Sequence, residues 1–226
     1  MSTVSNIQAD LWIEDILNQH LALGLTKVDM RFMIEGVGGC MGEPEQAAII
    51  YQAHMAFTQQ RIDYWVQNNL FTWQWWFLVV ILILPWFLWW KVVDKKRILS
   101  ILSMGLVVIG TANWMDQVGN ELGWWYYPYR ILPFVSQFGP VNYSSMPISY
   151  MLLYQIYPRW SAFLVAAVIT AAVFTWVIEP LFIWLGMYHV VFWKSSYSFL
   201  IYILIAISHK GLVDLLTVIV GKSKSE

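Results

Sequence analysis

Two acidic residues, Asp116 and Glu179, are the best candidates for chemistry in this chain, because each follows a long stretch of uncharged, apolar sequence. Asp116 lies 18 residues beyond Ile98, and Glu179 lies 19 residues beyond Trp160. At the rise of an α-helix these separations correspond to about 27 and about 28 Å. If both stretches are helices that start at one edge of a membrane, the two carboxyl groups lie at the same depth, near the opposite edge.

Polar and aromatic residues accompany both carboxyl groups in the sequence. Asn113 lies three residues before Asp116 and shares its helix face, and Glu121 follows a little later. The aromatic and imidazole side chains that we expect around the same site are Trp125, Tyr127, Trp184 and His189. The sequence therefore predicts a pocket at the outer edge of the membrane that contains acids, a histidine and aromatic walls.

Such a pocket has more than one interpretation. A carboxyl group in apolar surroundings can hold and donate a proton, and aromatic faces stabilise cations. Asp116 and Glu179 are therefore candidate catalytic residues of a membrane enzyme that uses acid/base chemistry on a lipid or isoprenoid. Alternatively, the acids lie where helices reach water, the aromatics form interfacial belts, and the protein binds or senses a membrane lipid or a partner protein. We expect binding or sensing, and the question of an enzyme stays open.

The composition predicts an integral membrane protein. The chain has 226 residues, of which 12% are charged, whereas a soluble domain carries about 25%. Many of its 15 tryptophans stand at the ends of uncharged runs, as expected for side chains that gather at membrane–water interfaces. The net charge of −1 offers no basic surface for nucleic acid, and the single cysteine excludes an internal disulfide.

Five stretches are long and apolar enough to cross a bilayer, which takes roughly 20 residues in a helix. They are residues 72–90, 98–115, 138–157, 160–178 and 191–208. The predicted fold class is therefore all-α, a polytopic membrane bundle of about five transmembrane helices over residues 71–220, with a polar cytoplasmic tail at 221–226. Pro85 and Pro147 lie inside these stretches and predict kinks.

Residues 1–70 are predicted to form an amphipathic helical N-terminal region. Apolar residues at helical spacing predict a helix over residues 9–25, and a glycine-rich run at 36–42 breaks it. Pro44 suits the first turn of a second helix that reaches about Asn68. Its apolar face consists of Ile50, Phe57, Ile62, Trp65 and Val66.

The distribution of Lys and Arg predicts the orientation in the membrane. Most of these residues fall on one side of the predicted spans, which the positive-inside rule assigns to the cytoplasm: Lys91, Lys95, Lys96, Arg97, Arg159, Lys210, Lys222 and Lys224. With five spans, the N-terminus is then outside and the C-terminus is cytoplasmic. A membrane-embedded segment at residues 47–57 would instead leave the N-terminus inside. The polar start of the chain does not resemble a cleavable signal peptide.

The histidines give no metal-binding pattern. His20, His54, His189 and His209 are scattered, and no zinc motif is present. We therefore expect neither a metal nor another cofactor. The expected partners are membrane lipids, together with a second copy of the chain or another membrane protein.

Short blocks between Tyr64 and His209 carry a family resemblance. They include Leu-Phe-Thr-Trp-Gln-Trp-Trp-Phe at 70–77, the Trp-Trp-Lys-Val-Val-Asp-Lys-Lys-Arg run at 89–97, Tyr-Pro-Tyr at 127–129 and Tyr-Met-Leu-Leu-Tyr-Gln at 150–155. In these blocks the chain resembles a family of small, Trp-rich, multi-pass membrane proteins of bacilli and clostridia that has no assigned activity. The resemblance implies a bacterial plasma-membrane protein and supplies no catalytic residue.

Overall fold

The computed structural model describes residues 43–223 of the chain. The predicted helix at 9–25 and the glycine-rich break at 36–42 lie outside the described residues. The chain divides into two compact units, Met1–Phe57 and Thr58–Glu226. The membrane helices and the candidate site belong to the second unit.

Helices dominate the described part of the chain, with only two very short strands. The elements are α1 (Glu43–Asn68), α2 (Trp73–Val92), α3 (Ile98–Glu121), β1 (Trp125–Tyr126), α4 (Met146–Ile156), α5 (Trp160–Val173), α6 (Glu179–Trp184), β2 (His189–Val190) and α7 (Ser195–Ser223). A 3-10 turn, Lys95–Arg97, precedes α3, and π-helical turns precede α4 (Val141–Ser145) and α6 (Phe174–Ile178). Helix α5, the second π-helical turn and α6 form one continuous helix, Trp160–Trp184. The predicted all-α fold class is confirmed.

Within residues 43–223, four helices are long and apolar enough to cross a membrane: Trp73–Val92, Lys95–Glu121, Trp160–Trp184 and Ser195–Gly221. Large apolar side chains cover their outer surfaces, with Leu99 79% exposed and Leu106 66% exposed. A soluble protein would not present so much apolar surface to water, whereas hydrocarbon accepts it. The chain is therefore an integral membrane protein.

The remaining predicted span, residues 138–157, forms the first π-helical turn and the short helix α4. It is packed inside the bundle, since Tyr150 and Met151 are almost fully buried. The amide N–H of Phe138, the first residue of this segment, donates to Asp116 near the end of α3. At the other end, the Gln155 side chain donates to a carbonyl of α2 and accepts from the backbone of the turn that precedes α3. The segment therefore runs antiparallel to α3, so the described part of the chain has five passes, four of which meet the length and apolarity of a membrane span.

Helix α7 is longer than the sequence predicted. The last span was expected to end at residue 208, whereas α7 continues to Ser223. His209 and Lys210 consequently lie buried within the bundle and not in a cytoplasmic loop. The Lys210 ammonium group is 3.1 Å from the carboxylate of Asp214, one turn further along. This pairing compensates the charge that the longer helix buries.

Helix α1 matches the second helix predicted for the N-terminal region. It begins at Glu43, has Pro44 in its first turn and ends at Asn68. Proline is tolerated there because the N–H groups of the first turn have no helical partner. Ile50 and Val66, on the predicted apolar face, are exposed.

The loop that connects α3 to α4 is held by side chains of α1, of α2 and of the turn between them. The indole of Trp65, the amide of Asn69 and the indole of Trp75 each donate to a backbone carbonyl of this loop, at 2.9, 2.9 and 3.2 Å. Buried carbonyl groups outside regular structure need such donors. The loop supplies part of the candidate site, and these three hydrogen bonds fix its residues 128–131. The acceptors are the carbonyl oxygens of Arg130, Pro128 and Ile131.

Both π-helical turns are followed, one residue later, by a proline: Pro147 and Pro180. Proline lacks an N–H group and its ring crowds the carbonyl four residues earlier, which interrupts the α-helical hydrogen-bond ladder. Because Pro147 has no N–H group, the carbonyl of Tyr143, four residues earlier, receives no helical hydrogen bond from it. This carbonyl instead accepts a hydrogen bond from the indole N–H of Trp86, at 3.0 Å. The interruption predicted at Pro147 thus takes the form of a π-helical turn, whereas Pro85 lies within the continuous helix α2.

Helices α3 and α6 end in the same way, at a glycine with positive φ. These are Gly123, with φ of +67°, and Gly186, with φ of +69°. In both cases the next residue, Trp124 or Met187, donates its backbone N–H to a carbonyl five residues earlier, at 2.9 Å. This is the Schellman motif, in which glycine adopts the left-handed conformation at no steric cost.

The two helix ends lead into a pair of antiparallel strands. In β1 and β2, Trp125 lies opposite Val190 and Tyr126 lies opposite His189. Asp116 and Glu179 each lie within the last turns before these strands. The strand pairing therefore brings the ends of the two acid-bearing helices together at one end of the bundle.

Candidate functional site

Asp116 is the centre of a hydrogen-bond network that joins α3 to the loop and to the first π-helical turn. Its Oδ1 accepts from the indole N–H of Trp125 and from the hydroxyl of Tyr127, both at 2.8 Å. Its Oδ2 accepts from the backbone N–H of Phe138 and from the side-chain amide of Asn142, both at 2.6 Å. A carboxylate has about four acceptor positions, so Asp116 is fully occupied.

Tyr127 is suited to remain a hydrogen-bond donor to Asp116. Burial raises the pKa of its hydroxyl well above the usual value, and the negative charge of Asp116 raises it further. The ring is stacked between Phe138, at 4.6 Å, and Tyr188, at 5.4 Å. A phenol with a raised pKa keeps its proton at physiological pH, so the bond to Asp116 is always available.

Trp125 reaches Asp116 because α3 has a glycine where the ring passes. A Cβ at Gly119 would overlap the six-membered ring of Trp125. Trp125 also packs edge-on against Trp193, with ring centroids 4.9 Å apart, and Trp193 stacks on Trp124 at 5.1 Å. These three indole rings form an aromatic cluster, which we call the tryptophan cluster, beside the strand pair.

Glu179 has a different environment, although it is as deeply buried as Asp116. Its Oε1 accepts from the hydroxyl of Tyr202 on α7, at 2.9 Å. The hydroxyl of Ser198, one turn earlier on α7, also interacts with the carboxylate. Ser198 in turn accepts from the indole N–H of Trp193 at 2.9 Å, so a chain of polar contacts links Glu179 to the tryptophan cluster.

A cavity of about 430 Å³ lies between these groups. Its walls come from the C-terminal half of α3, the loop after α3, the first π-helical turn, the end of the helix Trp160–Trp184 and the first half of α7. Most of the wall is apolar, and the polar groups that line it are Asp116, Asn142, Glu179, Ser198 and the tyrosines Tyr127, Tyr188 and Tyr202. Trp114 is the one wall residue that is largely exposed, at 70%. The cavity therefore reaches the surface of the bundle beside α3.

The structure places four of the predicted site residues on this cavity: Asp116, Glu179, Trp125 and Tyr127. Their roles differ, since Trp125 and Tyr127 are hydrogen-bonded to Asp116 and not to Glu179. The catalytic role assigned to the two acids stays a prediction.

The other four predicted residues do not line the cavity. The Asn113 side chain donates to the carbonyl of Ile109 within α3, and Glu121 accepts from Gln117 on the exposed surface of the same helix. Trp184 is 81% exposed. His189 stacks on Tyr126 with ring centroids 5.0 Å apart, on the exposed strand pair.

Several wall residues were not predicted, and most of them have no distinct signal in the sequence. Phe138 contributes a backbone N–H, and any residue except proline carries one. Asn142 and Ser198 lie among other polar residues near the start of apolar segments, and Tyr202 lies in an apolar helix. Tyr188 and Trp193 lie close to Glu179 in the sequence among many other aromatic residues, and no rule selects them over Trp184.

The cavity is lined by acidic groups and by no described basic group. None of the described residues that line it is Lys, Arg or His, while two are carboxylic acids. Within residues 43–223, no group of three His, Cys, Asp or Glu side chains is placed to hold a metal ion. The site can therefore accept hydrogen bonds, stack on aromatic faces and enclose an apolar group.

No family model matches this chain, and no curated protein or solved structure is significantly similar to it. The resemblance to the Trp-rich membrane proteins of bacilli and clostridia accordingly stays a prediction.

Proposed function

We propose that this integral membrane protein binds a small amphiphile, of the size of a lipid or a part of one, in the cavity beside Asp116 and Glu179. The cavity itself is the observation that carries the proposal. Its volume of about 430 Å³ falls in the range of ligand pockets, about 300–1,000 Å³. Its apolar walls with a few converging polar groups are also typical of such pockets.

The size of the cavity supports an occupant. Protein interiors are close-packed, and an empty apolar cavity costs roughly 24 cal/mol per Å³. A space of about 430 Å³ that reaches the surface of the bundle is therefore more favourable filled than empty. An amphiphile that fills the cavity removes this cost.

The position of the cavity supports a ligand that comes from the membrane. Its exposed wall residue, Trp114, lies on α3, one of the helices that have the length and apolarity of a membrane span. An acyl or alkyl chain at this surface can enter without crossing water.

The hydrogen bonding of Asp116 favours binding over acid/base catalysis. Both of its oxygens already accept two hydrogen bonds from protein groups, which leaves no position for a substrate proton. A pair of carboxylates working together is therefore disfavoured, and Glu179 is the acid that can contact a ligand.

We propose further that the basic turn between α2 and α3 faces the cytoplasm of a bacterial cell and that the cavity opens in the outer leaflet. The turn contains Lys95, Lys96 and Arg97, and Lys91 lies in the last turn of α2 beside it. This basic region lies at the end of α3 opposite to Asp116. The positive-inside rule supports this orientation.

Native mass spectrometry with lipid extraction tests the proposal when a cavity-filling variant is compared with a matched control. Ile201 lines the cavity, whereas its neighbour Leu200 is 58% exposed. We expect a stoichiometric amphiphile on the wild type and on Leu200→Trp, and its loss from Ile201→Trp. If the wild type retains none, or if both variants retain the same lipids, the cavity is not a binding site.

A further inference from the structure

We infer that the head group of the bound amphiphile is a cation, such as a protonated amine, held by Glu179 and the tryptophan cluster. The inference rests on the proposed function and names the chemical class of the ligand at the same site.

The charge of the cavity is the first observation. Asp116 and Glu179 are 7% and 8% exposed, and no described Lys, Arg or His lines the cavity with them. Asp116 accepts four hydrogen bonds from neutral donors, whereas the structure gives Glu179 one, from the hydroxyl of Tyr202. The hydroxyl groups of Ser198 and Tyr188 lie near the Glu179 carboxylate. A buried carboxylate with so few partners is costly, and an ammonium group would supply both the opposite charge and strong, charge-assisted hydrogen bonds.

The aromatic groups are the second observation. Trp193 is joined to Glu179 through the hydroxyl of Ser198, so the tryptophan cluster lies close to the carboxylate. The faces of indole rings attract cations, and desolvated cation–π contacts contribute about 2 kcal/mol. Trp124, Trp125 and Trp193 all line the cavity. A cation near Glu179 can therefore contact a carboxylate and an aromatic face at once.

Other head groups fit the same site less well. A phosphate, sulfate or carboxylate would meet two acids and no described cation. A neutral hydroxyl group can donate one hydrogen bond to Glu179, but it leaves the charge uncompensated. We therefore expect the order of affinity to be amine, then alcohol, then carboxylate, for amphiphiles with the same alkyl chain.

The test uses decylamine, decanol and decanoate with the purified protein in a non-ionic detergent. The unfolding temperature of the protein is measured as each amphiphile is added. The affinity is given by the amphiphile concentration at which the rise in unfolding temperature reaches half of its maximum. We compare the wild type with Glu179→Gln, which keeps an oxygen that accepts from Tyr202, and with Glu121→Gln, which removes an exposed carboxylate of α3. Decylamine should bind most tightly to the wild type and to Glu121→Gln, and about tenfold more weakly to Glu179→Gln, as expected for the loss of a charge-assisted hydrogen bond.

The outcomes separate this inference from the proposed function. If decanol binds as tightly as decylamine to the wild type, the cationic head group is wrong and the amphiphile site stands. The same conclusion follows if Glu179→Gln binds decylamine normally. If none of the three binds, and native mass spectrometry finds no retained amphiphile, both proposals fail. If Glu179→Gln does not fold, the order of affinity of the wild type for the three amphiphiles still shows whether the head group is a cation.

Discussion

At the scale of single residues, the two buried acids have different roles. Asp116 has two donors on each oxygen and connects α3 to the loop, the strand β1 and the first π-helical turn. Glu179 shares its carboxylate with two hydroxyl groups of α7. A carboxylate whose acceptor positions are all filled organises the structure, whereas one with fewer partners is available to a ligand.

Replacing Asp116 by Asn should destabilise the protein strongly. The side chain of Asn has one oxygen and one NH₂ group, so the NH₂ group would face two of the present donors. Leaving these buried donors unpaired should cost about 3 kcal/mol. Chemical unfolding in detergent would measure the loss, and Glu121→Gln, on the exposed surface, should change it by less than about 0.5 kcal/mol. An unchanged stability of Asp116→Asn would show that the network is not structural.

How far the sequence predicts the site is clear from these two acids. Counting residues along predicted helices placed them at equal depth, and both line the same cavity. Their different roles could not be predicted, because the donors to Asp116 lie 9 to 26 residues away in the sequence. Trp184 and His189 were expected at the site because they follow Glu179 closely, but both side chains are exposed, whereas Tyr188 between them lines the cavity.

At the scale of the elements, irregular backbone builds the site. Schellman motifs end α3 and α6, and the strand pair joins the two helix ends. On the cavity wall, one π-helical turn contains Asn142 and the other directly precedes Glu179. Hydrophobic periodicity predicts long regular helices, which is why the passes were predicted and these features were not. The glycines at 123 and 186 and the prolines at 147 and 180 were the signals available.

Replacing either Schellman glycine by Ala should destabilise the site end of the bundle. Both Gly123 and Gly186 have positive φ, a conformation that costs an L-residue roughly 1–2 kcal/mol. Gly110, within α3 and without neighbours where a Cβ would stand, is the matched control, and Gly110→Ala should leave stability unchanged or raise it. Thermal unfolding of the three variants in detergent measures the difference. Equal stability of all three would contradict the assigned helix ends.

At the scale of the whole molecule, five antiparallel passes place the basic turn and the cavity at opposite ends of α3. Four passes have the length and apolarity of membrane spans. The fifth, the π-helical turn with α4, is shorter and is enclosed by the others, so protein contacts and not lipid surround much of it. The apolar sequence of this segment was enough to predict that it crosses the bundle. It did not predict that the other helices would surround it.

The five-pass arrangement predicts that the turn before α3 and the loop after it lie on opposite sides of the membrane. After replacement of the native Cys40 by Ser, single cysteines can be introduced as Lys96→Cys and as Phe134→Cys, the latter at a position that is 62% exposed. In intact bacterial cells a membrane-impermeant maleimide should label Phe134→Cys, whereas Lys96→Cys should react only after permeabilisation. Labelling of both from one side would contradict the fold, and the reverse pattern would contradict the orientation.

Photolabelling with a decylamine that carries a diazirine in its alkyl chain tests the central claim most directly, because it reports where an amphiphile lies. If the cavity binds amphiphiles, the label should concentrate on three separated segments, residues 112–118, 174–182 and 198–205, and should be lost from all three in Ile201→Trp. Label spread over lipid-facing positions such as Leu99 and Leu106, unchanged by Ile201→Trp, would contradict it.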